Sequence, residues 1–234
     1  RPAVVSFHFG LPEADLLARV KATGAQVMSS ATTVAEARWL AAHGADVIIA
    51  QGYEAGGHRG MFLDDDLSRQ PGTFALVPQV VDAVDLPVIA AGGIADGRGI
   101  AAALALGAAG VQIGTAYLAT SEATISDLHR TALAEASDDA SQITNLFSGK
   151  PARGLSTRVM REIGPLSENT PPFPTAGGAL APLKKAAEAN GKTDFSSLWA
   201  GQAAALARPG DAGEVTRRLV AEAGAHLTRL SRGR

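Results

Sequence analysis

Asp46-Val47-Ile48-Ile49-Ala50-Gln51-Gly52-Tyr53-Glu54-Ala55-Gly56-Gly57-His58-Arg59-Gly60 is the stretch on which the reading of this 234-residue chain turns. Its first five residues read as a strand buried on both faces. A polar, glycine-rich loop follows at once and runs to about Pro71, taking in Asp64-Asp65-Asp66. In a parallel α/β fold that end of a strand faces the ligand-binding side. Glycines there let the backbone approach a flat or anionic ligand closely. Gln51 donates and accepts at once, which suits the edge of a heterocycle. His58 changes charge near neutral pH, so it serves as a base or as an electrostatic anchor.

Outward from this stretch the same unit recurs. Strands are predicted at 3–9, 26–30, 87–91 and 111–113, and helices at 11–21, 33–42, 74–84 and 97–106. Thr33 and Glu36 have capping-box spacing, and Gly24, Gly44 and Gly107 close helices. Alternating strands and crossover helices imply a parallel sheet. An open doubly wound sheet suits five strands; a closed barrel needs about eight. The loop chemistry favours the barrel, with about five βα units in this chain and about three expected upstream. Gly92-Gly93 and Gly114-Thr115 follow their strands as Gln51-Gly52 follows its own. Such strand-end glycines expose N–H groups suited to a phosphate. Neither a Gly-x-Gly-x-x-Gly fingerprint nor a Walker A loop is present. His8, between Phe7 and Phe9 at the end of the first strand, is placed to point into the same mouth as His58.

Beyond residue 121 the pattern turns helical, at 125–135, 180–189, 196–207 and 214–229, with an irregular excursion over 150–175 and a frayed tail at 231–234. The expected division is a barrel portion over 1–135, a helical and irregular added region over 136–210, and a C-terminal helix over 211–234 packing on the barrel.

Composition narrows the classes of function. Lys+Arg 21 against Asp+Glu 23 gives a net charge of -2, which argues against nucleic acid as a partner. With no cysteine, thiolate nucleophiles, iron–sulfur clusters and cysteine-ligated zinc are excluded. No metal is called for: five histidines are few, and the acidic triplet reads as a solvated turn. His43, His129 and His226 read as structural. No apolar run approaches the roughly 20 residues that cross a bilayer, and no export signal is visible, so a cytoplasmic protein without a membrane partner is expected.

SFHFG at 6–10, QGYEAGGHRG at 51–60, PVIAAGGIADGRG at 87–99, GAAGVQIGTAYLAT at 107–120, FSGKPARG at 147–154 and SLWAGQ at 197–202 together resemble the nitronate monooxygenase family, once called 2-nitropropane dioxygenases, and its class I members most. The resemblance covers nearly the whole chain. It implies a TIM (β/α)8 barrel of the FMN-dependent type with an added, mainly helical region. It implies one non-covalent FMN, with His58 as the catalytic histidine and His8 as a second histidine close to the flavin. Gln51, Gly56, Gly57, Gly92, Gly93, Gln112, Gly114 and Thr115 match flavin contacts, the glycines and Thr115 chiefly toward the phosphate. The family's N-terminal PMAG-like segment has no match. Phe173-Pro174-Thr175-Ala176-Gly177-Gly178 stands where members often carry tyrosines.

The implied reaction is oxidation of an alkyl nitronate by dioxygen to a carbonyl compound and nitrite, with propionate 3-nitronate as substrate and a neutral nitroalkane as a variant. The alternative is an NAD(P)H-dependent flavin reductase acting on quinones or enoyl thioesters. The expected partners are the small substrate and dioxygen, with oligomerisation left open.

Overall fold

The computed structural model describes residues 1–233. In chain order its elements are β1 (Val4–Phe7), α1 (Ala14–Lys21), β2 (Gln26–Ala31), α2 (Val34–Ala42), β3 (Val47–Gln51), β4 (Gly57–His58), α3 (Thr73–Val81), β5 (Val88–Ala91), α4 (Gly97–Ala105), β6 (Gly110–Gln112), α5 (Thr115–Leu118), α6 (Asp127–Ala134), β7 (Ser141–Thr144), β8 (Ala152–Leu155), α7 (Arg158–Ile163), α8 (Ala176–Ala189) and α9 (Ala212–Ser231). Of the expected tail, Ser231 closes α9 and Arg234 lies outside the described residues. Two compact units emerge. The first holds Arg1–Tyr53, Gly60–Gln112 and the chain from Glu222; the second holds Glu54–Arg59 and Ile113–Ala221. Residues 54–59 and 113–135, read from sequence as part of one barrel portion, thus group with the second unit.

The first unit is an α/β layer. Its five strands are parallel, in the order β1-β2-β3-β5-β6. The middle of the sheet is apolar because Val27, Ile48, Ile49, Val88 and Ala90 are buried. On α2, Ala37 and Leu40 lie at helical spacing and are buried; on α3, Leu76, Val77 and Val80 do the same. The start of β3 is tied down by Asp46, whose carboxylate accepts from the Val27 amide and from Lys21, both at 2.8 Å. Burial alone would raise its pKa, but the Lys21 and Val27 hydrogen bonds outweigh that and hold it below the usual carboxylate value.

Glu36 departs from its expected role. Thr33 Oγ1 does accept the Glu36 amide and caps α2 at 3.2 Å. The Glu36 carboxylate does not reach back to close a capping box. One oxygen accepts from the Thr32 amide at 2.6 Å and the Thr32 hydroxyl at 2.7 Å. The other accepts from the amides of Phe62 at 2.6 Å and Leu63 at 3.2 Å. With the residue 1% exposed, a carboxylate survives burial only because such donors replace its water. Glu36 thereby fastens the long loop after β3 to the start of α2.

The second unit is built on a small antiparallel sheet, β4-β8-β7. Residues 196–207, expected as a helix, do not form one: the stretch 198–200 runs beside β8 instead. Leu155 donates its amide to Leu198, Ala200 donates to Arg153, and Gly154 bridges to Trp199. Only Ala204–Leu206 forms a single 3₁₀ turn. A Cβ on Gly154 would lie 2.7 Å from the Leu198 carbonyl, so glycine permits this pairing. Leu133, Leu155, Leu198, Ala200 and Ala204 pack into the core it creates.

His129, on α6, is buried and its Nε2 lies 3.2 Å from the Trp199 carbonyl. A carbonyl only accepts, so Nε2 donates. Burial pushes the imidazole below its usual 6.5, against a smaller upward pull from that carbonyl.

Two predictions follow from these buried polar groups. Glu36→Ala strands buried donors and should cost about 3–5 kcal/mol in urea unfolding; a loss under about 1 kcal/mol would contradict the anchoring role. For His129, the folded pKa lies below the unfolded one, so its contribution is complete above the unfolded value and is lost as pH falls through the folded value. The drop in urea midpoint from about pH 7.5 to about pH 5 should therefore be smaller in His129→Leu than in the parent chain.

Candidate active site

In the first unit the ends of β3, β5 and β6 lie side by side: Gln51 pairs with Ala91, and Ala91 with Gln112. The expected residues Gln51, Gly92, Gly93 and Gln112 therefore share one end of the sheet. Gln51 is buried and its Oε1 accepts the Gly60 amide at 2.7 Å, so the side chain shapes the loop as well as that end. Gly92 and Gly93 have φ of 109° and 71°, a turn that side-chain-bearing residues rarely adopt. The Thr73 hydroxyl donates to the Gly92 carbonyl at 3.0 Å and stitches this turn to α3. Gln112 is exposed.

His8 lies just past β1, with Nδ1 3.1 Å from the buried Ser30 hydroxyl. Its ring is tilted against Phe9 at 4.6 Å. Phe9 itself has φ of 63°, an uncommon conformation for an aromatic residue. Gly60 packs directly on this pair: a Cβ there would fall 2.8 Å from Ser30 Cβ and 2.9 Å from His8 Cε1.

In the second unit β4 carries Gly57 and His58. Gly57 has φ of 73°, and the space a side chain would take is open. Gly56 differs: a Cβ would meet Gly201 N at 2.5 Å, so chain packing already demands glycine there. Gly114 is exposed and faces open space. The Thr115 hydroxyl accepts the Gly201 amide at 2.9 Å.

His58 is half-buried. Its Nε2 is 2.8 Å from the Ser148 hydroxyl. Phe173 meets the imidazole edge-on at 5.8 Å and Trp199 lies tilted to it at 5.4 Å. Phe147 packs edge-on against Trp199 at 5.8 Å. The Lys150 ammonium sits 5.5 Å over Phe173. The Lys150 ammonium thus places positive charge beside the ring that packs on the imidazole, which favours an anion here.

Ser30, Ser148, Phe173 and Trp199 were not singled out from the sequence as site residues. Ser148 and Trp199 do lie in the FSGKPARG and SLWAGQ stretches, but nothing local indicates that these converge on His58. The acidic triplet forms a turn: Arg69 pairs with Asp64 at 2.8 Å and Asp66 caps the Leu67–Arg69 turn through Ser68. A cavity of about 450 Å³ beside Thr33, Asp64, Arg69 and Gln79 takes in none of the expected site residues.

A family model described as nitronate monooxygenase matches residues 1–222. Nitronate monooxygenase of Paraburkholderia phytofirmans is 45% identical over 223 residues, covering 95% of this chain and 61% of that protein. That of Pseudomonas aeruginosa is also 45% identical, covering 95% and 64%. Among solved structures, nitroalkane oxidase from Streptomyces ansochromogenes superposes with a TM-score of 0.89 at 42% identity, covering 97% of this chain and 65% of that one. FabK from Thermotoga maritima gives 0.79 at 33% identity, covering 97% and 70%. The chain thus spans somewhat under two thirds of the length of the curated relatives it matches. The α/β architecture, a parallel sheet flanked by helices, agrees with the (β/α)8-type barrel of these related structures. Sequence, sheet and superposition converge, and the chain belongs to the nitronate monooxygenase family.

Proposed function

We propose that this chain takes part in FMN-dependent oxidation of alkyl nitronates by dioxygen, giving a carbonyl compound and nitrite. Propionate 3-nitronate is the substrate favoured, with neutral nitroalkanes as a second class. The observation that carries the reading is His58, held by Ser148 and flanked by Phe173 and Trp199. A nitronate is a small anion. A charged imidazole among aromatic rings, with Lys150 beside Phe173, attracts such a group and shields it from water. Toward a neutral nitroalkane the same imidazole, unprotonated, removes the α-proton.

The donor set fits FMN. Gly57 and Gly114 face open space, and Gly92-Gly93 present backbone in a glycine-only turn. Gly56, Gln112 and Thr115 complete the assignment, with Gln51 toward the ring and His8 as the second histidine near it. When bound, FMN supplies the two-electron chemistry with dioxygen that no side chain here provides. The relatives named nitronate monooxygenase and nitroalkane oxidase support this reading. Among the described residues no helix is long and apolar enough to cross a membrane. A cytoplasmic location is part of the proposal and is supported by the cysteine-free composition.

The test is nitrite release. The chain loaded with FMN should turn over propionate 3-nitronate. His58→Ala should keep the flavin and lose about 10²-fold or more in kcat/KM. Bound FMN with no nitrite from any nitronate would overturn the proposal. Rapid anaerobic bleaching by NADH or NADPH would favour the flavin-reductase reading instead.

A further inference from the structure

We propose that Ser148 is a positioning residue that fixes the tautomer of His58, placing the imidazole proton on Nε2 and the basic lone pair on Nδ1.

The single hydroxyl proton of Ser148 limits how its contacts can be made. The Ser148 oxygen has three polar neighbours: the Lys150 carbonyl at 3.1 Å, the Lys150 amide at 3.3 Å and His58 Nε2 at 2.8 Å. A hydroxyl has one proton to give and two lone pairs to receive. The carbonyl only accepts and the amide only donates. All three contacts are satisfied in one arrangement: the proton goes to the Lys150 carbonyl, and the oxygen receives the Lys150 N–H and an N–H from His58. Were Ser148 to donate to His58 instead, the Lys150 carbonyl would lose this partner.

The hydroxyl is preset by its own turn. Both Lys150 contacts are local, two residues along the chain, and that turn is held from outside. The Gly149 amide donates to the Asn145 carbonyl at 2.8 Å. Gly149 has φ of 92°, and a Cβ on it would lie 2.4 Å from the Phe173 amide nitrogen. The turn that aims Ser148 at His58 is thus packed against the residue whose ring meets the imidazole edge. Any proton that His58 takes up then enters at Nδ1. That catalytic consequence rests on the proposed function; the tautomer assignment stands without it.

Long-range ¹H–¹⁵N spectra of the labelled full chain test the assignment, at a pH above the titration of His58 and with its signals identified by their loss in His58→Gln. In the parent chain Nε2 should be the protonated nitrogen and Nδ1 the bare one. Ser148→Ala should move the Nδ1 resonance toward the protonated range, and Ser148→Thr, which keeps the hydroxyl, should restore the parent pattern. A parent His58 protonated at Nδ1 would overturn the proposal. So would an unchanged pair of resonances in a folded Ser148→Ala chain. If the alanine variant does not fold, the parent spectrum and the threonine variant decide the matter. Nitrite assays run alongside separate the two ideas: absent nitrite with Nε2 protonated sinks nitronate oxidation and leaves the role of Ser148 in place.

Discussion

A buried carboxylate sets the terms for the loop on which the site depends. Taking Glu36 out of water is costly, and the cost is offset only when all its hydrogen bonds form together. Half of those donors come from Thr32 at the mouth of β2 and half from Phe62 and Leu63 in the loop after β3. The Gln70 amide joins the cluster by donating to Thr32 Oγ1 at 3.0 Å. Release of the loop would strand the carboxylate, so the Phe62 and Leu63 contacts hold the loop to α2. Gly60 therefore sits where Gln51 can accept its amide and where His8 and Ser30 leave room for no side chain. From one carboxylate the constraint passes to the Gly60 amide and then to His8 and its partner Ser30.

Steric contact divides the loop glycines into two kinds. Gly52, Gly56, Gly60 and Gly149 stand where a Cβ would collide with Thr73, Gly201, Ser30 or Phe173. Their smallness serves the packing of the chain on itself. Gly57 and Gly114 collide with nothing, yet Gly57 adopts a positive φ. Those two leave backbone exposed to open space, as a ligand requires. Sequence alone presents all six as equivalent members of glycine-rich loops. The proposed phosphate and ring contacts fall most naturally on the second kind, while Gly56 has a sufficient reason in the fold.

The same contrast explains what was legible. The parallel strands and their helices over the first 112 residues were readable because each βα unit is local, with its apolar period, cap and closing glycine close together in sequence. The second unit hides its logic in distant pairings. Gly57 pairs with Arg153, Leu155 with Leu198, and Gly154 with Trp199. Residues 196–207 resemble a helix by composition, and pairing with the neighbouring edge of β8 draws residues 198–200 out of that pattern. Ser148, Phe173 and Trp199 were missed as companions of His58 for the same reason. Thr33 and Glu36 show a subtler failure: the capping spacing was real for the backbone of α2, but tertiary donors captured the carboxylate.

The hydrogen bond between His58 and Ser148 has a further property bearing on the proposed reaction. With Nε2 as donor, the contact is the same whether His58 is neutral or charged, because gaining a proton at Nδ1 leaves the Nε2–H in place. A histidine that instead accepted from serine would have to break that bond, and turn the hydroxyl, each time it was protonated. Electrostatic help costs least when the groups providing it need not move as charge develops. Phe173 and Trp199 reinforce this, since their rings pack on the imidazole and confine it. The second unit thus holds His58 in one orientation across both of its charge states. Under the proposed function, the same side chain would hold an anionic nitronate when charged and take a proton from a nitroalkane when neutral.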